Sequence, residues 1–363
     1  MKMNFYGEWF IFANLFVYMK KFIHTISKWE QWPFEVIYFP ISFIWFWYCI
    51  KARSFWFFSS SNPTITFGGF EGESKKEMYD QLPPDSYPKT IYILHSLSFE
   101  EVKKKIIVHG FTYPFVVKPD VGMQGILFRK IEDEEQLQKY HERIPVEYII
   151  QHMIEFPIEL SVFYYRLPNE KKGTISGFIQ KELLEVTGDG ENTLYQLILN
   201  HPRAKLRMQE MMERHAHRME RILDAGYSFI LSYAGNHNRG ARFINLINEV
   251  DEQLLKRFDE LSHYTEKFYY GRYDLKCRSI EELKQGKNYS IIEFNGCGAE
   301  PNHIYDAGIS LGKAYAEILK HWKVLFAISK YNNENGTPYW SFSKGYHFLK
   351  QARKHFTLLK QFD

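Results

Sequence analysis

The sequence has 363 residues, a formal net charge of +3 and an aromatic content of 18%. This length is enough for two or three lobes with substantial cores, and the balanced charge gives no indication of a nucleic-acid partner. The three cysteines, Cys49, Cys277 and Cys297, are an odd number without a CxxC spacing. They indicate neither a disulfide framework nor a zinc site, and they favour a reducing, cytoplasmic compartment.

Aromatic residues are concentrated near the N-terminus, where 22 of the 64 fall within the first 60 residues. The apolar runs at residues 9–19 and 36–50 are shorter than the ~20 residues that cross a bilayer, and no small-residue cleavage site indicates a signal peptide. Trp and Tyr favour the membrane interface, while Lys51 and Arg53 favour anionic lipid. We therefore expect residues 1–61 to contact a membrane in its plane. Packing on the chain's own core or on a second subunit is the main alternative, and a true span is a weaker one.

The composition changes at Asn62, where the sequence NPTITFGGFEGESKKEMYDQLPPDSYPKT is rich in Gly, Pro and Ser. This pattern predicts a linker that leads into a short helix around residues 75–81. A strand is predicted at residues 90–94, followed by a helix at residues 98–109 whose capping box begins at Ser98.

Residues 113–129, YPFVVKPDVGMQGILFR, combine a buried strand with a glycine-bearing turn. Lys118 ends the strand at residues 115–117, and Gly122 and Gly125 lie in the loop before the next strand. Backbone donors in such a turn can contact phosphate oxygens while the lysine supplies a positive charge. An ordinary hairpin that carries a lysine and two glycines is the alternative.

The next part of the sequence predicts a strand, a hinge and a second strand. The apolar strand at residues 148–150 runs into QHMIEFP, and a further strand follows at residues 159–165. A short apolar connector of this kind can stack a purine and offer backbone groups to its edge. A third strand ends at Lys181, and long helices are predicted at residues 205–225 and 251–268.

Residues 271–306 carry the strongest chemical pattern, from GRYDLK to IIEFNGCGAEPNHIYD. Arg272 and Asp274 lie two residues apart, as do Glu293 and Asn295, so each pair shares one face if its segment is a strand. If the two strands are adjacent, three oxygen ligands converge beside one guanidinium. Hard oxygen donors without His or thiolate suit Mg²⁺. A surface hairpin with ordinary polar residues is the alternative.

The order of these pieces resembles that of ATP-grasp enzymes over residues 75–312. It is similar to D-alanine:D-alanine ligases, in which an Arg-x-Asp strand is followed by Glu-x-Asn. The TGDGENT turn and the NHNRGAR loop look more like those of cyanophycin-synthetase-like ligases. The resemblance implies an α+β fold in which two α/β lobes clamp ATP. This ATP-grasp domain is expected at residues 62–325, between the aromatic N-terminal helical segment and a basic C-terminal helical tail at residues 326–363.

The resemblance also implies roles for individual residues. Lys75 and Lys118 match the lysines that hold the α and β phosphates, and Gly122 to Gly125 matches the loop that closes over them. The other matches are the adenine hinge at Gln151, His152 and Ile154, the ribose position at Glu159, a further phosphate-side cation at Lys181, the Mg²⁺ ligands Asp274, Glu293 and Asn295, and the arginine that steadies the transferring phosphoryl group, Arg272. Two Mg²⁺ ions are expected, with Mn²⁺ as an alternative.

The sequence departs from these families in three places. Gln151 stands where the hinge usually carries a glutamate, although a glutamine carbonyl can accept the same adenine bond. The Ser-rich glycine loop of the dipeptide ligases is absent, and an aromatic segment stands where a Rossmann-like lobe usually precedes Lys75. Because that lobe helps to bind the first substrate, the substrate cannot be transferred from the relatives.

The segments after Asn295 allow two interpretations each. In residues 296–308, His303 or Tyr305 could orient an acceptor substrate, or the segment could be a packing loop before a helix at residues 310–326. The basic helix predicted at residues 340–360 could lie on anionic lipid, or it could close the ATP lobe.

The resemblance predicts an ATP-dependent ligase that joins a small-molecule carboxylate to an amine through an acylphosphate. The chemistry requires positioning and neutralisation of charge, and no covalent enzyme intermediate is expected. The alternatives are an ATP-grasp-fold phosphotransferase and a nucleotide-binding membrane adaptor without turnover. We expect a cytoplasmic protein at the inner face of the membrane, with a homodimer as an alternative use of the aromatic surface.

Overall fold

The computed structural model describes residues 29–123, 125–232, 240–305 and 309–363. Over these ranges the chain is α+β, as the sequence predicts, and the strands in each of its three sheets pair in antiparallel fashion. The strands are β1 (Thr90–Ile93), β2 (Phe115–Pro119), β3 (Arg129–Ile131), β4 (Tyr148–His152), β5 (Ile158–Tyr165), β6 (Thr174–Glu182), β7 (Leu184–Thr187), β8 (Ser228–Ser232), β9 (Arg242–Asn245), β10 (Tyr270–Cys277) and β11 (Tyr289–Asn295).

The α-helices of the described ranges are α1 (Phe34–Tyr38), α2 (Ser42–Ala52), α3 (Lys75–Tyr79), α4 (Phe99–Val108), α5 (Glu134–Arg143), α6 (Leu194–Asn200), α7 (Met208–His215), α8 (Glu252–Ser262), α9 (Ile280–Lys284), α10 (Leu311–Glu334) and α11 (Phe342–Phe362). The capping box predicted at Ser98 is confirmed, because its hydroxyl accepts from the Glu101 backbone and the Glu101 carboxylate accepts in return. The apolar run at residues 9–19 lies outside the described ranges.

The four-stranded sheet has the order β1-β4-β2-β3. Val117 and Ile150 on its central strands share one core with Leu137 of α5 and Phe356 of α11. Ile149, on the opposite face of β4, belongs to the core of the larger sheet. Burial on both faces explains why the central strands are almost continuously apolar.

The five-stranded sheet has the order β11-β10-β5-β6-β9. Tyr273 and Leu275 on β10 share a core with Leu254 and Phe258 of α8. Because side chains alternate along a strand, the polar residues of β10 lie on the opposite face of this sheet. That face carries the candidate site.

A β-bulge interrupts the pairing of β10 with β11. Asp274 pairs with Glu293, but the next residue, Leu275, pairs with Ile291, so Ile292 is the extra residue. The Ile292 carbonyl accepts hydrogen bonds from the Tyr79 hydroxyl at 2.8 Å and from Lys118 Nζ at 3.1 Å. Bulges leave the extra residue outside the ladder, and here its carbonyl joins the two large sheets.

The linker predicted from Asn62 is wrong. The Asn62 side chain is fully buried, donates to the carbonyls of Gly68 and Tyr270, and accepts from the backbone of Tyr269 and Tyr270. The glycines of this stretch allow a close approach of two backbones: Gly68 and Gly69 both have positive φ, and a Cβ added at Gly69 would lie 2.8 Å from the Cα of Gly296. The composition reflects close packing in the core.

The helix predicted at residues 205–225 is confirmed only in its first part, where 3-10 turns at Ala204–Arg207 and Ala216–Arg218 flank α7 (Met208–His215), and it is wrong after Arg218. The backbone of Met219 and Arg221 instead accepts hydrogen bonds from the first residues of α6, Tyr195 and Leu194. Local periodicity does not reveal this long-range pairing. At the other end of the chain, α10 extends to Glu334, well past the predicted end at residue 326.

One side of the aromatic helices α1 and α2 packs on α10. Trp45 contacts Trp322 edge to face, and Tyr48 stacks on Phe326. The stretch Phe34–Ala52, 19 residues, is the one helical segment of the described ranges that is long and apolar enough to cross a membrane. One side of this segment packs on α10 of the same chain, so that side contributes to the core of the protein.

Candidate active site

The four polar residues of β10 and β11 lie together, as the sequence predicts. Arg272 pairs with Asn295, and Asp274 pairs with Glu293, in adjacent register. Arg272 Nη2 lies 3.1 Å from Asp274 Oδ2, and Asn295 Nδ2 lies 3.5 Å from the same oxygen. Asp274 is buried and the other three residues are partly buried, so the arrangement is a polar cluster within the fold, which contradicts the alternative of an ordinary surface hairpin.

Lys181 and Glu159 extend this cluster on the next strands. Lys181 Nζ lies 3.0 Å from Asp274 Oδ1 and 3.5 Å from Glu159 Oε1. Burial alone would raise the pKa of Asp274, but Arg272 and Lys181 outweigh burial and hold that pKa well below its usual value. Burial raises the pKa of Glu159, and the positive charge of Lys181 opposes that shift. Asp274 is thus an ionised carboxylate that neutralises two cations.

Lys118 and Lys75 face this cluster from the four-stranded sheet and from α3. Lys118 Nζ donates to the Ile292 carbonyl and lies 3.4 Å from the Tyr79 hydroxyl. Lys75 Nζ donates to the carbonyls of Asp120 at 3.2 Å and Gly122 at 3.3 Å. Within the part of the chain that the structure describes, neither ammonium forms an ion pair with a carboxylate.

The pKa of both facing lysines is lowered to about 8. Burial is the main cause for each, the charge of Lys118 adds to the shift of the Lys75 pKa, and Glu293 opposes both shifts. Perturbed lysines in a cleft indicate a functional site, because burial of an unpaired ammonium is unfavourable unless a ligand compensates for it.

A cavity of about 40 Å³ separates the two sides of the site. Lys75, Gly122, Glu293 and Asn295 line it, together with Tyr79 and Glu73. This volume is enough for roughly three water molecules.

Two residues of this site have no role in the sequence predictions. Burial raises the pKa of Glu73, and its Oε2 has no hydrogen-bond partner among the described residues. Tyr79 links the two sides, because its hydroxyl also accepts from Gln151 Nε2 at 3.0 Å. The i, i+4 spacing of Lys75 and Tyr79 on one helix could have indicated Tyr79.

The predicted hinge residues lie beside the site and are partly engaged elsewhere. Gln151 is buried and donates to Thr90 and Tyr79. His152 packs edge to face on Phe111, and the Ile154 carbonyl accepts from Lys276 Nζ at 3.5 Å. Of the glycine loop, Gly122 lines the cavity and Gly125 has a φ of +72°, while Gln124 lies outside the described residues.

The segment after β11 forms hydrogen bonds with Arg272 and with the strand that pairs with Asp274. Arg272 Nη1 donates to the Glu300 carbonyl at 3.1 Å, and Asn302 Nδ2 donates to the hydroxyl of Ser161 at 3.0 Å. Ser161 is the register partner of Asp274 on β5. Two residues are candidates for orienting an acceptor substrate. The Tyr305 hydroxyl donates a hydrogen bond to Glu300 Oε1, and His303 is buried beneath the sheet.

No protein-family model and no curated protein matches this sequence. Solved structures with similarity to it include a D-alanine–D-alanine ligase from Bacillus anthracis, with 16% identity over 72% of this chain and 69% of that chain and a TM-score of 0.38. This neighbour is a ligase, the class of enzyme that the motif order resembles.

Two further ligases show partial matches. A D-Ala:D-Ser ligase from Enterococcus faecalis has 14% identity over 66% of this chain and 57% of that chain, with a TM-score of 0.38. A bifunctional glutathione synthetase from Pasteurella multocida has 14% identity over 65% of this chain and 34% of that chain, with a TM-score of 0.35. TM-scores this low indicate nothing about the reaction of this chain.

Proposed function

We propose that this protein is an ATP-dependent carboxylate-amine ligase that acts through an acylphosphate. The observation that carries the proposal is a pair of partly buried lysines that have no carboxylate ion-pair partner in the described ranges. Lys75 lines the cavity together with Glu293, and Lys118 lies beside it on the Ile292 carbonyl. A polyphosphate between these sides would meet two ammonium groups on one side and a cation-binding carboxylate on the other. This arrangement suits phosphoryl transfer, in which positioning and neutralisation of charge supply most of the catalysis.

The residues of β10 and β11 fit a hard divalent cation. Glu293 and Asn295 line the cavity and offer oxygen donors, while Asp274 lies opposite Glu293 in register. We propose that these three side chains hold Mg²⁺, which when bound neutralises phosphate charge and polarises the transferring phosphoryl group. Asp274 is already paired with Lys181 and Arg272, so Glu293 is the carboxylate most available to the cation.

The cationic side chains of the site would have different roles in the reaction. Lys75 and Lys118 would bind the nucleotide phosphates as point charges. Arg272, held by Asp274 and the Glu300 carbonyl, would steady the phosphoryl group as a substrate carboxylate attacks it. The amine would then displace phosphate from the acylphosphate, which yields an amide, ADP and phosphate. Lys181 would keep Asp274 ionised and oriented.

The nucleoside end of the site belongs to the same proposal. We place the adenine near Gln151, His152 and Ile154, and the ribose near Glu159. Gln151 donates a hydrogen bond to Tyr79, and Glu159 forms an ion pair with Lys181. Each side chain would have to give up this contact in order to bind the nucleoside. The division into an ATP-grasp domain at residues 62–325 and flanking segments also stays a proposal.

ADP release from defined substrate mixtures tests the reaction. A ligase consumes ATP only when a carboxylate and an amine are both present, a phosphotransferase needs one acceptor, and an adaptor without turnover consumes none. A metabolite-mixture screen for ADP release, followed by mass spectrometry of the product, separates the three. Glu293→Gln should abolish the release, and unchanged release in that variant would exclude the proposed metal site.

We also propose that the exposed side of α1 and α2 lies on the cytoplasmic face of a membrane. Phe39, Phe43 and Ile50 follow helical spacing on one side and are 80%, 65% and 68% exposed. The opposite side packs on α10, so this helix pair would lie in the membrane plane. Basic and aromatic side chains continue the same surface: Lys51, Arg53, Phe55, Phe342, Lys344 and Tyr346. Such a surface suits anionic lipid.

Vesicle co-sedimentation tests this location with matched variants. Truncation at Asn62 would remove Phe57 and Phe58, which are core residues, so point changes are preferable. With vesicles that contain anionic lipid, we expect the intact protein to sediment and the Phe43→Glu, Ile50→Glu variant to stay in solution. The exposed apolar pair Ile107 and Val108 on α4, changed to Glu, is the control and should still sediment.

Two outcomes would contradict the membrane contact. The first is an intact protein that stays in solution with every vesicle. The second is a protein whose α2 variant sediments as fully as the control. If light scattering instead finds a dimer that the α2 variant abolishes, the surface binds a second copy of the chain.

A further inference from the structure

We infer that His303, Glu317 and His321 form a binding site for a divalent cation of the Zn²⁺ class, separate from the proposed nucleotide site. His303 lies in the short 3-10 helix Asn302–Tyr305, which follows β11. Glu317 and His321 lie one turn apart on α10. One ligand atom from each of the three lies within 4.8 Å of the others.

The distances suit a tetrahedral ion better than a hydrogen-bonded cluster. Glu317 Oε1 lies 3.4 Å from His303 Nε2 and 3.3 Å from His321 Nε2. Zinc with nitrogen and oxygen ligands at ~2.0–2.1 Å in tetrahedral geometry separates its ligand atoms by ~3.3–3.4 Å. A hydrogen bond between the same atoms would be ~2.7–3.2 Å long. The separations therefore match two edges of a zinc tetrahedron.

The two imidazoles are buried and incompletely satisfied. His303 and His321 are 8% and 1% exposed. Among the described residues, the Nε2 atoms of both rings and the Nδ1 of His303 have no hydrogen-bond partner with acceptable geometry. Buried polar atoms without partners are unfavourable, because they have lost their contacts with water. A bound cation would satisfy the two Nε2 atoms together.

Metals bind the neutral form of imidazole and the ionised form of a carboxylate. Lys320 Nζ lies 3.1 Å from Glu317 Oε1 on the exposed side, so the carboxylate has a cationic neighbour beside the two rings.

The surroundings orient both histidines. The Tyr270 hydroxyl lies 3.1 Å from His321 Nδ1, which is the kind of outer contact that fixes the ring of a metal-binding histidine. His303 lies against the backbone of β6 at Gly177, where an added Cβ would be 2.1 Å from its Nδ1. Glycine is therefore required at this position for His303 to reach Glu317.

A cation here would tie the segment after β11 to α10. That segment carries the Glu300 carbonyl, which accepts from Arg272, and Asn302, which donates to Ser161. The ion would therefore act as a positioning element beneath the polar face of the sheet. With three protein ligands, the fourth coordination position is left for water or another ligand. The cysteine pattern gives no indication of this site, because its ligands are nitrogen and oxygen atoms.

Metal content of the intact, untagged protein tests the inference without any enzyme assay. The protein is equilibrated with Zn²⁺, passed through metal-free buffer and analysed by mass spectrometry for zinc. We expect one equivalent of zinc, lost from His303→Gln and from Glu317→Gln. His141→Gln is the control, because His141 is also buried but has both ring nitrogens hydrogen-bonded, to Tyr148 and to the Leu97 carbonyl. It should keep the zinc.

A second measurement covers the case in which a variant fails to fold. Titration of the unaltered protein with Co²⁺ should give the visible absorption of a tetrahedral site with nitrogen and oxygen ligands, and Zn²⁺ should displace it. Absence of both zinc and cobalt from the unaltered protein would overturn the inference. So would zinc retained at one equivalent in a folded His303→Gln or Glu317→Gln variant. Neither result depends on whether the chain is a ligase.

Discussion

The two sides of the cleft handle their charges differently. On the five-stranded sheet, Lys181 and Arg272 are each within 3.1 Å of an oxygen of Asp274. On the opposite side, Lys75 and Lys118 contact only carbonyl and hydroxyl oxygens within the described residues, and their pKa is lowered to about 8. One side is neutralised by ion pairs within the fold, whereas the other keeps two ammonium groups that have no ion-pair partner in the described ranges.

This difference separates groups that organise the site from groups that bind. A buried ion pair resists the removal of one partner, because the other charge is left unpaired in the interior. For a lysine that is removed from water without a carboxylate partner, we expect the opposite effect on stability. Its replacement by an apolar residue removes the unfavourable burial of a charge. Substitutions on the two sides should therefore have opposite effects on stability, even where both abolish function.

The largest effect is expected for Lys118→Met. Loss of the point charge at the phosphates should reduce ATP turnover by at least ~100-fold. The free energy of unfolding should stay unchanged or increase, because methionine fills similar space without a buried charge. ATP consumption and thermal unfolding measure the two quantities, and Lys139→Met on the exposed face of α5 is the control. A marked loss of stability with turnover retained would show that Lys118 is a structural residue.

The next effect separates Asp274 from Glu293. Asp274→Asn should lower the free energy of unfolding by ~3–5 kcal/mol, because Lys181 and Arg272 lose the carboxylate between them. Glu293→Gln should change it by less than ~1 kcal/mol, since Glu293 lines the cavity and pairs with no cation at ion-pair distance in the described ranges. Denaturant titrations of both variants measure this. Equal losses of stability would contradict the comparison.

A smaller effect is expected in the pH dependence of nucleotide binding. Bound phosphates should raise the pKa of Lys75 and Lys118, so affinity should fall as the pH rises above about 8, the pKa of the two free ammonium groups. The loss approaches ~10-fold per pH unit for each lysine that must take up a proton. Calorimetric titration from pH 7 to pH 10 measures it, and Lys118→Met should remove part of the slope. A flat profile would mean that these ammonium groups do not contact the nucleotide.

Stability should change with pH in the opposite direction. The folded-state pKa of each lysine, about 8, lies below the ~10.4 of an unfolded chain. The unfolded chain therefore binds more protons between these values, and the free energy of unfolding should rise with pH across that window. Denaturant titrations at pH 8 and pH 10 test the sign. The free energy of unfolding of Lys118→Met should exceed that of the unaltered protein by less at pH 10 than at pH 8. An equal difference at the two pH values would contradict the expected pH dependence.

The smallest effect is expected for Tyr79→Phe. The variant removes the hydroxyl that donates to the Ile292 carbonyl and accepts from Gln151, while Lys118 still donates to the same carbonyl. We expect a loss of ~1–2 kcal/mol in the free energy of unfolding and a change in turnover of less than ~10-fold. A loss of turnover as large as that of Lys118→Met would mean that Tyr79 contacts the nucleotide.

The polar pairs of β10 and β11 could be predicted from the sequence because strand alternation is a local property. Arg272, Asp274, Glu293 and Asn295 need only adjacency of two strands to converge, and the structure provides it. The bulge at Ile292 could not be predicted in this way. It depends on the packing of Tyr79 and Lys118, which come from distant parts of the chain.

The errors in the sequence predictions have a related cause. The Gly- and Ser-rich stretch from Asn62 has the composition of a linker, but Gly69 packs closely against Gly296, and the buried Asn62 side chain donates to the Tyr270 carbonyl. The predicted helix at residues 205–225 ends early because Met219 and Arg221 pair with the start of α6. In both cases a long-range contact overrides a local preference.

The most direct test of the central claim is calorimetric titration of the intact protein with a non-hydrolysable ATP analogue and Mg²⁺ at pH 7. We expect saturable binding of one nucleotide. This binding should be lost in a Lys75→Met, Lys118→Met variant that unfolds at the same temperature as the unaltered protein or at a higher one. Absence of binding to the unaltered protein, or equal binding to a folded double variant, would contradict it.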